Sequence, residues 1–205
     1  MERQAIQEII AVAKRLDDKQ LVNAFEGNIS IKRDGYLYVT PSGKNKALLT
    51  EEMICVFDPD GCQISGKFAP SSELKMHAGI YAMRDNIGGV IHAHPPFLTA
   101  YALCCQPFTN RAYAEMLWDH KVIELVPYGR PGTEDIYAGA KPILDKGLDI
   151  MLLANHGVLV VGNTVFDALN KLESVENAAK ITAIAKIIGP LAELDPNEVQ
   201  ALLKM

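Results

Sequence analysis

The order of hydrophobic and polar positions divides the chain into helices and strands. Apolar residues recur at helical spacing from Ile6 to Leu16, which predicts an amphipathic helix near the start of the chain. Short apolar runs at 29–31 and 36–39 then flank Arg33-Asp34-Gly35, a sequence typical of a β-hairpin turn. A second pair of runs, at 53–57 and 62–65, is joined by Pro59-Asp60-Gly61. The first third of the chain is thus predicted to form one helix and two hairpins.

Later in the chain, helical and strand-like segments alternate. Ser71 and Ser72 precede a helical run from Glu73 to about Arg84, and their hydroxyls are placed to cap it. The remaining predicted strands cover 89–93, 122–126, 151–154 and 158–161, and the remaining helices cover 97–104, 133–146, 165–188 and a short segment from Asp195. This order predicts a single α/β domain over 1–205, with a central, mainly antiparallel sheet flanked by helices. A doubly wound parallel sheet fits the pattern less well.

Composition and charge narrow the functional classes. The 205 residues are 49% hydrophobic and 22% charged, and the net charge of −5 argues against a general nucleic-acid binder. No apolar run approaches the ~20 residues of a membrane span, and the polar N-terminus lacks the apolar core of a signal peptide. Four cysteines without a Cys-x-x-Cys pair predict reduced, mostly buried thiols: Cys55, Cys62, Cys104 and Cys105. We expect a cytoplasmic protein with no nucleic-acid or membrane partner.

Three histidines form the candidate metal site. His92 and His94 end a predicted strand, and because strand side chains alternate, both project from the same face. His156 lies in a tight turn between two apolar strands, where a polar side chain faces the end of the sheet. Three imidazoles with a free fourth position are typical of catalytic zinc. Two partly exposed loop histidines are the simpler interpretation of His92 and His94 considered alone.

The residues around these histidines are open to several interpretations. Glu73, at a predicted helix start, is a candidate fourth ligand or a base beside the ion. His77, one helical turn later, is expected to be a surface residue or a neighbour of the site, and His120 a solvated loop residue. A cupin oxygenase would place an acid shortly after the His-x-His pair, and the segment 97–103 contains none. That class is therefore excluded.

Three polar segments, two of them with glycine, are candidates for anion binding: Gly27-Asn28-Ile29-Ser30, Thr40-Pro41-Ser42-Gly43 and Ser71-Ser72-Glu73. Helix N-termini and glycine-bearing turns present free N–H groups that suit phosphate. Each segment alone is as well explained by a turn or a helix cap. Together with three histidines, they point to a phosphorylated small molecule as substrate.

Five motifs, in this order and spacing, resemble the class II aldolase/adducin family, and within it the members that act on L-fuculose 1-phosphate. They are Gly27-Asn28-Ile29-Ser30, Thr40-Pro41-Ser42-Gly43, Ser71-Ser72-Glu73, His92-x-His94 and Asn155-His156-Gly157. The resemblance implies a largely antiparallel α/β fold and a homotetramer with fourfold symmetry whose active sites lie between subunits. It implies that Glu73, His92, His94 and His156 bind one Zn²⁺ per subunit, or another divalent metal. It also implies that the substrate phosphate is bound by Asn28, Ser42, Gly43, Ser71 and Ser72.

The implied reaction is reversible cleavage of a ketose 1-phosphate to dihydroxyacetone phosphate and a small aldehyde such as lactaldehyde. Zinc would act as a Lewis acid on the ketose oxygens, and Glu73 would carry the C3 proton. Tyr113 aligns with a tyrosine that donates a proton from the neighbouring subunit, although an interface tyrosine is an equally good interpretation of the sequence. Glu26 and Pro131 depart from the pattern of those members, which leaves the aldehyde half of the substrate open.

Two other enzymatic activities and one non-catalytic role are the alternatives within the same family. A methylthioribulose-1-phosphate dehydratase would use a similar metal site, with Glu115 as its acid or base. A pentulose-5-phosphate 4-epimerase fits less well, because its members are usually longer. A non-catalytic, adducin-like interaction module is disfavoured, because such modules commonly lose metal ligands and all four are present here.

Overall fold

The computed structural model describes residues 2–204, and its elements follow the predicted order closely. The α-helices are α1 (Glu2–Asp18), α2 (Leu74–Met83), α3 (Pro96–Leu103), α4 (Ala114–Asp119), α5 (Lys141–Asp145), α6 (Val165–Ile188) and α7 (Pro196–Leu202). The strands are β1 (Asn28–Arg33), β2 (Tyr36–Val39), β3 (Cys55–Phe57), β4 (Gln63–Ser65), β5 (Gly89–Ala93), β6 (Glu124–Val126), β7 (Ile150–Leu153) and β8 (Gly157–Gly162). Short 3₁₀ turns lie at Lys46–Leu48, Glu51–Met53 and Glu134–Tyr137.

The strands form one sheet in the order β4-β3-β2-β1-β5-β8-β7-β6. Every neighbouring pair is antiparallel except β6 and β7, which run parallel. The predicted fold class, an α/β protein with a mainly antiparallel sheet, is confirmed. Because β5 lies in the middle, its C-terminal end is adjacent to the start of β1 on one side and the start of β8 on the other. Side chains from three strands can therefore meet at this end of the sheet.

Helices cover both faces of the sheet, and the alternation of side chains assigns each strand residue to one face. Ile29 and Ile31 of β1 pack in the larger core with residues of α1, α3 and α6. Val90 of β5 and Leu159 of β8 pack in a second core with α2 and α5. Residues of even number in β1 and β5 therefore face α2. Among the described helices, none is both long and apolar enough to cross a membrane.

The continuous helix predicted over 133–146 is wrong. The chain instead forms the 3₁₀ turn Glu134–Tyr137 and, after Gly139, the short helix α5 with Pro142 in its first turn. Proline lacks the N–H that a helix interior requires, so a helix can begin at Pro142 but cannot pass through it. The helix α4 was not predicted, because its six residues are too few to show a clear period.

The burial predicted for the cysteines is wrong for three of the four. All are free thiols, but only Cys55, the first residue of β3, is buried. Cys62 lies at the turn before β4, and Cys104 and Cys105 follow the end of α3, where the chain returns to the surface. Turn positions of this kind remain solvated whatever their hydrophobicity.

Candidate active site

The three candidate histidines converge at the end of β5. His92 is paired in register with Asn28 of β1 and Leu159 of β8, and His156 occupies the turn just before β8. The Nε2 atoms of His92 and His94 are 3.0 Å apart. One nitrogen of each of the three rings lies within 4.8 Å of the others. Strand alternation and the β7–β8 turn thus bring together side chains that are 64 positions apart in the sequence.

Hydrogen bonds set the direction in which two of these rings point. His92 Nδ1 donates to the carbonyl of Val158 at 2.9 Å, which leaves the lone pair of Nε2 facing the cluster. His94 Nδ1 lies 3.0 Å from Glu26 Oε2, so its Nε2 faces the cluster as well. Burial lowers the pKa of His92 well below its usual value and also lowers that of His156. Neutral imidazole is the form that binds metal ions.

Gly157 permits the close approach of His94. A Cβ at this position would lie 2.3 Å from His94 Cδ2 and 2.8 Å from the carbonyl oxygen of Ala93. Asn155 begins the same turn with a φ of 56°, in the left-handed region that asparagine tolerates better than most residues. The Asn155-His156-Gly157 motif is therefore explained by the space that the histidine cluster requires.

Glu73 adds a carboxylate to the three histidines as a fourth possible metal donor. It is buried at the N-cap position of α2, with Oε2 3.3 Å from His92 Nε2 and Oε1 3.7 Å from His156 Nε2. Glu73 Oε1 and His156 Nδ1 are buried and have no hydrogen-bond partner within the described residues. Three imidazoles and one carboxylate with a free oxygen match the ligands of a zinc-type ion. The residues present therefore fit such an ion.

A chain of buried polar groups holds the Glu73 carboxylate. Asn28 Nδ2 donates to Glu73 Oε2 at 2.8 Å, and His77 Nε2 lies 2.5 Å from Asn28 Oδ1. Because that oxygen can only accept, His77 carries its proton on Nε2, and its Nδ1 accepts from the Ser30 hydroxyl at 2.6 Å. Tyr81 in turn donates to Ser30 at 2.9 Å. Of the two positions expected for His77, at the surface or beside the site, the structure shows the second, because His77 is buried and contacts Asn28.

The predicted phosphate-binding residues line one cleft together with the histidines. Its lining includes Asn28, Ser42, Gly43, Ser71 and Ser72. The two serine-bearing segments are joined, since Ser42 N donates to Ala69 O at 3.0 Å and Ser71 N to Thr40 O at 3.1 Å. The Asn28 side chain is engaged by Glu73 and His77, so its part in this cleft includes holding the carboxylate.

The capping predicted for the two serines is only partly formed. Ser71 Oγ accepts from the N–H of Glu73 at 3.2 Å, just before α2, but the structure forms no side-chain cap at Glu73 itself. Ser72 is exposed and lines the cleft.

The positions of two residues in the cleft, Lys46 and Glu26, were not predicted from the sequence. Lys46 lines the cleft and is buried, and Glu26 contacts His94. The buried polar chain could have been predicted from two spacings. Asn28 and Ser30 share one face of a strand, and Glu73 and His77 share one face of a helix. Lys46 gave no such signal, because a lysine after a turn is normally solvated.

The other singled-out residues lie elsewhere. Tyr113, at the N-cap of α4, packs against the larger core, and neither it nor Glu115 is among the residues lining this cleft. His120, expected to be a solvated loop residue, is partly exposed and lies 3.0 Å from Ser174 Oγ. Pro131 does line the cleft.

Comparisons with known proteins agree with this geometry. Residues 7–183 match the family described as the class II aldolase and adducin N-terminal domain. An L-fuculose phosphate aldolase of Methanococcus vannielii is 33% identical over 182 residues, which cover 87% of this chain and 96% of that protein. A 5-deoxy-D-ribulose 1-phosphate aldolase of Bacillus thuringiensis is 29% identical over 201 residues, or 97% of this chain and 93% of that protein. A solved L-fuculose 1-phosphate aldolase superposes with a TM-score of 0.87 at 30% identity, with 98% of this chain and 95% of that chain covered.

Proposed function

The chain belongs to the class II aldolase and adducin family, and on that premise we propose that it is a metal-dependent aldolase. The proposed reaction is reversible cleavage of a ketose 1-phosphate of the L-fuculose 1-phosphate type to dihydroxyacetone phosphate and a small aldehyde such as lactaldehyde. One observation carries the proposal: three converging histidines and a buried glutamate share a cleft with two joined serine segments. Phosphorylated sugars are retained inside cells, so the proposed place of action is the cytoplasm.

The metal would be held by His92, His94 and His156, with Glu73 as a fourth donor. Zn²⁺ suits this set best, one ion per subunit, although another divalent ion could take the same donors. When bound, it supplies Lewis acidity toward the carbonyl and hydroxyl oxygens of the ketose. Family membership and the donor set support this assignment.

Glu73 is proposed to move the proton at C3 of the substrate. Its Oε2 is held by Asn28, whereas its Oε1 has no hydrogen-bond partner among the described residues and lies on the side of the histidines. A carboxylate with one fixed and one free oxygen is positioned to give the proton in cleavage and take it in synthesis. Positioned proton transfer of this kind contributes about 10²–10⁴-fold to a rate.

The phosphate is proposed to bind at the serine-bearing wall of the cleft. Ser42, Ser71 and Ser72 offer hydroxyl donors there, and Asn28 lies beside them. Gly43 has a φ of 62°, and a Cβ on it would meet no atom within 4 Å, so its backbone is accessible on that side. Hydroxyls and backbone N–H groups of this kind are common partners of phosphate oxygens.

Self-association as a homotetramer with active sites between subunits is part of the proposal. Phe25, at the rim of the cleft, is 75% exposed, and Ile187 and Ile188 at the end of α6 are 86% and 84% exposed. The two adjacent isoleucines at the end of α6 form an exposed apolar pair, and contiguous exposed apolar residues can mark an interaction surface. Tyr113 lies outside the cleft of its own chain, which supports a role for it as proton donor in a neighbouring subunit.

The aldehyde half of the substrate has a second candidate. The relative named for 5-deoxy-D-ribulose 1-phosphate covers more of this chain than the one named for L-fuculose phosphate. Both sugars would give dihydroxyacetone phosphate and differ only in the aldehyde. We keep L-fuculose 1-phosphate first, because both the M. vannielii relative and the solved structure carry that name and share more sequence with this chain.

The test is incubation of the zinc-loaded protein with a panel of ketose 1-phosphates. L-fuculose 1-phosphate, 5-deoxyribulose 1-phosphate and methylthioribulose 1-phosphate are each scored for dihydroxyacetone phosphate, with and without a chelator. We expect triose phosphate from at least one sugar, loss of the activity with the chelator, and recovery when Zn²⁺ is added. A diketone phosphate as the product would instead identify a dehydratase, and an unchanged carbon skeleton with inverted C4 an epimerase.

Two variants separate the aldolase from the dehydratase. Glu73→Gln should bind phosphate esters but lose most turnover, by about 10²–10⁴-fold. Glu115→Gln is the matched control, because Glu115 is exposed on α4 and is the candidate acid of the dehydratase only. Normal turnover in Glu73→Gln would reject the role assigned to Glu73.

A further inference from the structure

A buried lysine borders the serine segments of the cleft. Lys46 begins the 3₁₀ turn that follows Ser42-Gly43, and it is 2% exposed. The side chain of Asn45 accepts the N–H of Ala47 at 2.8 Å and fixes the start of that turn. Lys46 lines the same cleft as Ser42, Ser71 and the histidines. Its position is therefore set by the fold and does not depend on a mobile surface side chain.

The Lys46 ammonium has no negatively charged partner in the described part of the chain. Its one hydrogen bond, of 2.9 Å, goes to the carbonyl of Lys44, and no carboxylate lies within ion-pairing distance. Burial lowers its pKa. Lysine is almost never fully buried unless it is paired, because desolvating an ammonium is costly. Two of its three N–H groups remain available to an acceptor.

The distribution of charge in the cleft supports a role for Lys46 in binding an anion. Among the described residues that line it, Lys46 is the sole lysine or arginine, whereas Glu26 and Glu73 both carry carboxylates. A phosphate monoester is mostly a dianion at neutral pH. Hydroxyls and N–H groups solvate such an anion, but they do not balance its charge, and this chain is already acidic, with a net charge of −5.

We propose that the Lys46 ammonium is the cation that binds the phosphate of the substrate and that it makes the site selective for phosphorylated over unphosphorylated ketoses. The inference rests on the proposed function for the identity of the ester and on the geometry of this chain for the residue. An ammonium in the lining of a cleft acts as a point charge toward phosphate oxygens. The uncompensated burial of Lys46 is then explained by the ligand that it binds.

The test compares substitutions of Lys46 with a matched substitution of Lys44. Lys46→Met and Lys46→Gln remove the buried ammonium, and Lys44→Gln removes an equal charge two residues away, where the ammonium lies 4.0 Å from the centre of the Phe68 ring. Binding of dihydroxyacetone phosphate, inorganic phosphate and unphosphorylated dihydroxyacetone to the zinc-loaded proteins is measured by calorimetry. Zinc content and thermal unfolding are recorded for each protein.

We expect both Lys46 variants to bind the two phosphates roughly 10- to 100-fold more weakly, the usual range for losing a charge-assisted hydrogen bond. Unphosphorylated dihydroxyacetone should bind all four proteins alike, and Lys44→Gln should stay within about twofold of the wild type. Lys46→Met should unfold at the same or a higher temperature, because methionine fills a buried site without a charge. Phosphate affinities in folded Lys46→Met and Lys46→Gln within twofold of the wild type would overturn the inference.

Failure of the proposed function would look different. A wild-type protein that cleaves no ketose 1-phosphate, yet loses phosphate affinity on Lys46→Met substitution, rejects the aldolase and supports the role of Lys46. A protein that cleaves ketose 1-phosphates with an unchanged KM in Lys46→Met supports the aldolase and rejects the role of Lys46.

Discussion

At the scale of single residues, the orientation of His94 depends on a carboxylate from a different loop. Glu26 Oε2 lies 3.0 Å from His94 Nδ1, and Asn23 holds Glu26 by donating from Nδ2 at 2.5 Å. Asn23 Oδ1 also accepts the backbone N–H groups of Phe25 and Glu26 at 3.0 Å each. A carboxylate on the remote nitrogen of a ligand histidine fixes its tautomer and raises its basicity. Glu26 therefore supports the ligand and need not contact the substrate.

Substitution of Glu26 is expected to weaken metal binding. Glu26→Ala should lower the affinity for Zn²⁺ by about 10- to 100-fold, the range found for partners of ligand histidines. The measurement is titration of the metal-free protein with Zn²⁺ in competition with a chelating dye. Glu26→Gln keeps an acceptor oxygen without the charge, so its affinity for Zn²⁺ should lie between those of the wild type and Glu26→Ala. Equal affinities in the wild type and both variants would show that Glu26 does not support the metal site.

The buried His77 should make the folded protein sensitive to mild acid. Burial, together with the neighbouring His92, lowers the pKa of His77 to about 3, whereas an unfolded histidine titrates near 6.5. Between these values the unfolded chain holds the extra proton, so stability falls as the pH is lowered, by up to about 1.4 kcal/mol per pH unit. Above pH 6.5 both states are neutral and this residue contributes no slope.

The measurement is urea unfolding of the chelator-treated protein at several pH values from 7 to 4. His77→Gln, which retains a donor and an acceptor for Asn28 and Ser30, should show a shallower loss of stability by about one proton. Parallel curves for the two proteins would place the acid sensitivity in other groups.

Residues differ in how far the sequence reveals their roles. His92 and His94 could be paired from the sequence because strand alternation is a local rule, and His156 because a histidine between two apolar strands has few other positions. The burial of Lys46 and the contact of Glu26 with His94 could not be predicted, because both depend on how segments far apart in the chain meet. The type and length of a side chain do not show which distant segment it contacts in the fold.

At the scale of elements, α6 holds the start of α3 through one buried carboxylate. Glu176 accepts the N–H groups of Phe97 and Leu98 at 2.9 Å each. These are donors in the first turn of α3, which have no partner within their own helix. Because α3 follows directly after His94 and Pro95, this contact also positions the loop that carries His94.

Removal of this carboxylate should destabilise the fold. Glu176→Ala leaves two N–H groups buried without acceptors, which should cost about 2–3 kcal/mol. For a chain of this size, that corresponds to a fall in melting temperature of roughly 4–12 °C. Glu173→Ala is the control, since Glu173 lies one turn earlier on α6 and pairs with Arg15 at the surface, where an ion pair contributes about 0–1 kcal/mol. Equal melting temperatures for the two variants would refute the assignment.

The elements were predictable where a short-range period decides them. The hairpin β1–β2 and the helices α1, α2 and α6 have clear alternation or helical spacing, and the structure gives them nearly the predicted bounds. The segment 133–146 failed because its apolar residues fit a helix, although Gly139 and Pro142 interrupt one. Here the backbone chemistry of two residues outweighed the hydrophobic pattern.

At the scale of the whole molecule, the cleft of one chain brings together the proposed metal donors, the proposed phosphate wall and Glu73, whereas Tyr113, the proposed second proton donor, is not among the described residues that line it. Among the described residues that line it, the acids and bases are those already assigned, together with Glu26 and Lys46. Cleavage of the C3–C4 bond also requires a group that manages the proton on the C4 oxygen. In the proposed tetramer, Tyr113 of a neighbouring subunit would supply that group; the family resemblance of the sequence indicates this role, but the fold of a single chain cannot display it.

Subunit mixing tests this arrangement directly. Glu73→Gln and Tyr113→Phe chains should each be nearly inactive alone. Their co-expressed, doubly tagged mixture should regain about a quarter of the wild-type activity, because in a closed ring a Tyr113→Phe chain contributes its Glu73 beside a neighbour with an intact Tyr113 at one site in four. The recovered activity should disappear when Ile187 and Ile188 are replaced by glutamate, if those exposed residues form part of the contact between subunits. A mixture as inactive as its parents, in assemblies shown to contain both chains, would mean that each active site is built from one chain. Tyr113→Phe chains that are fully active alone would mean that Tyr113 has no part in it.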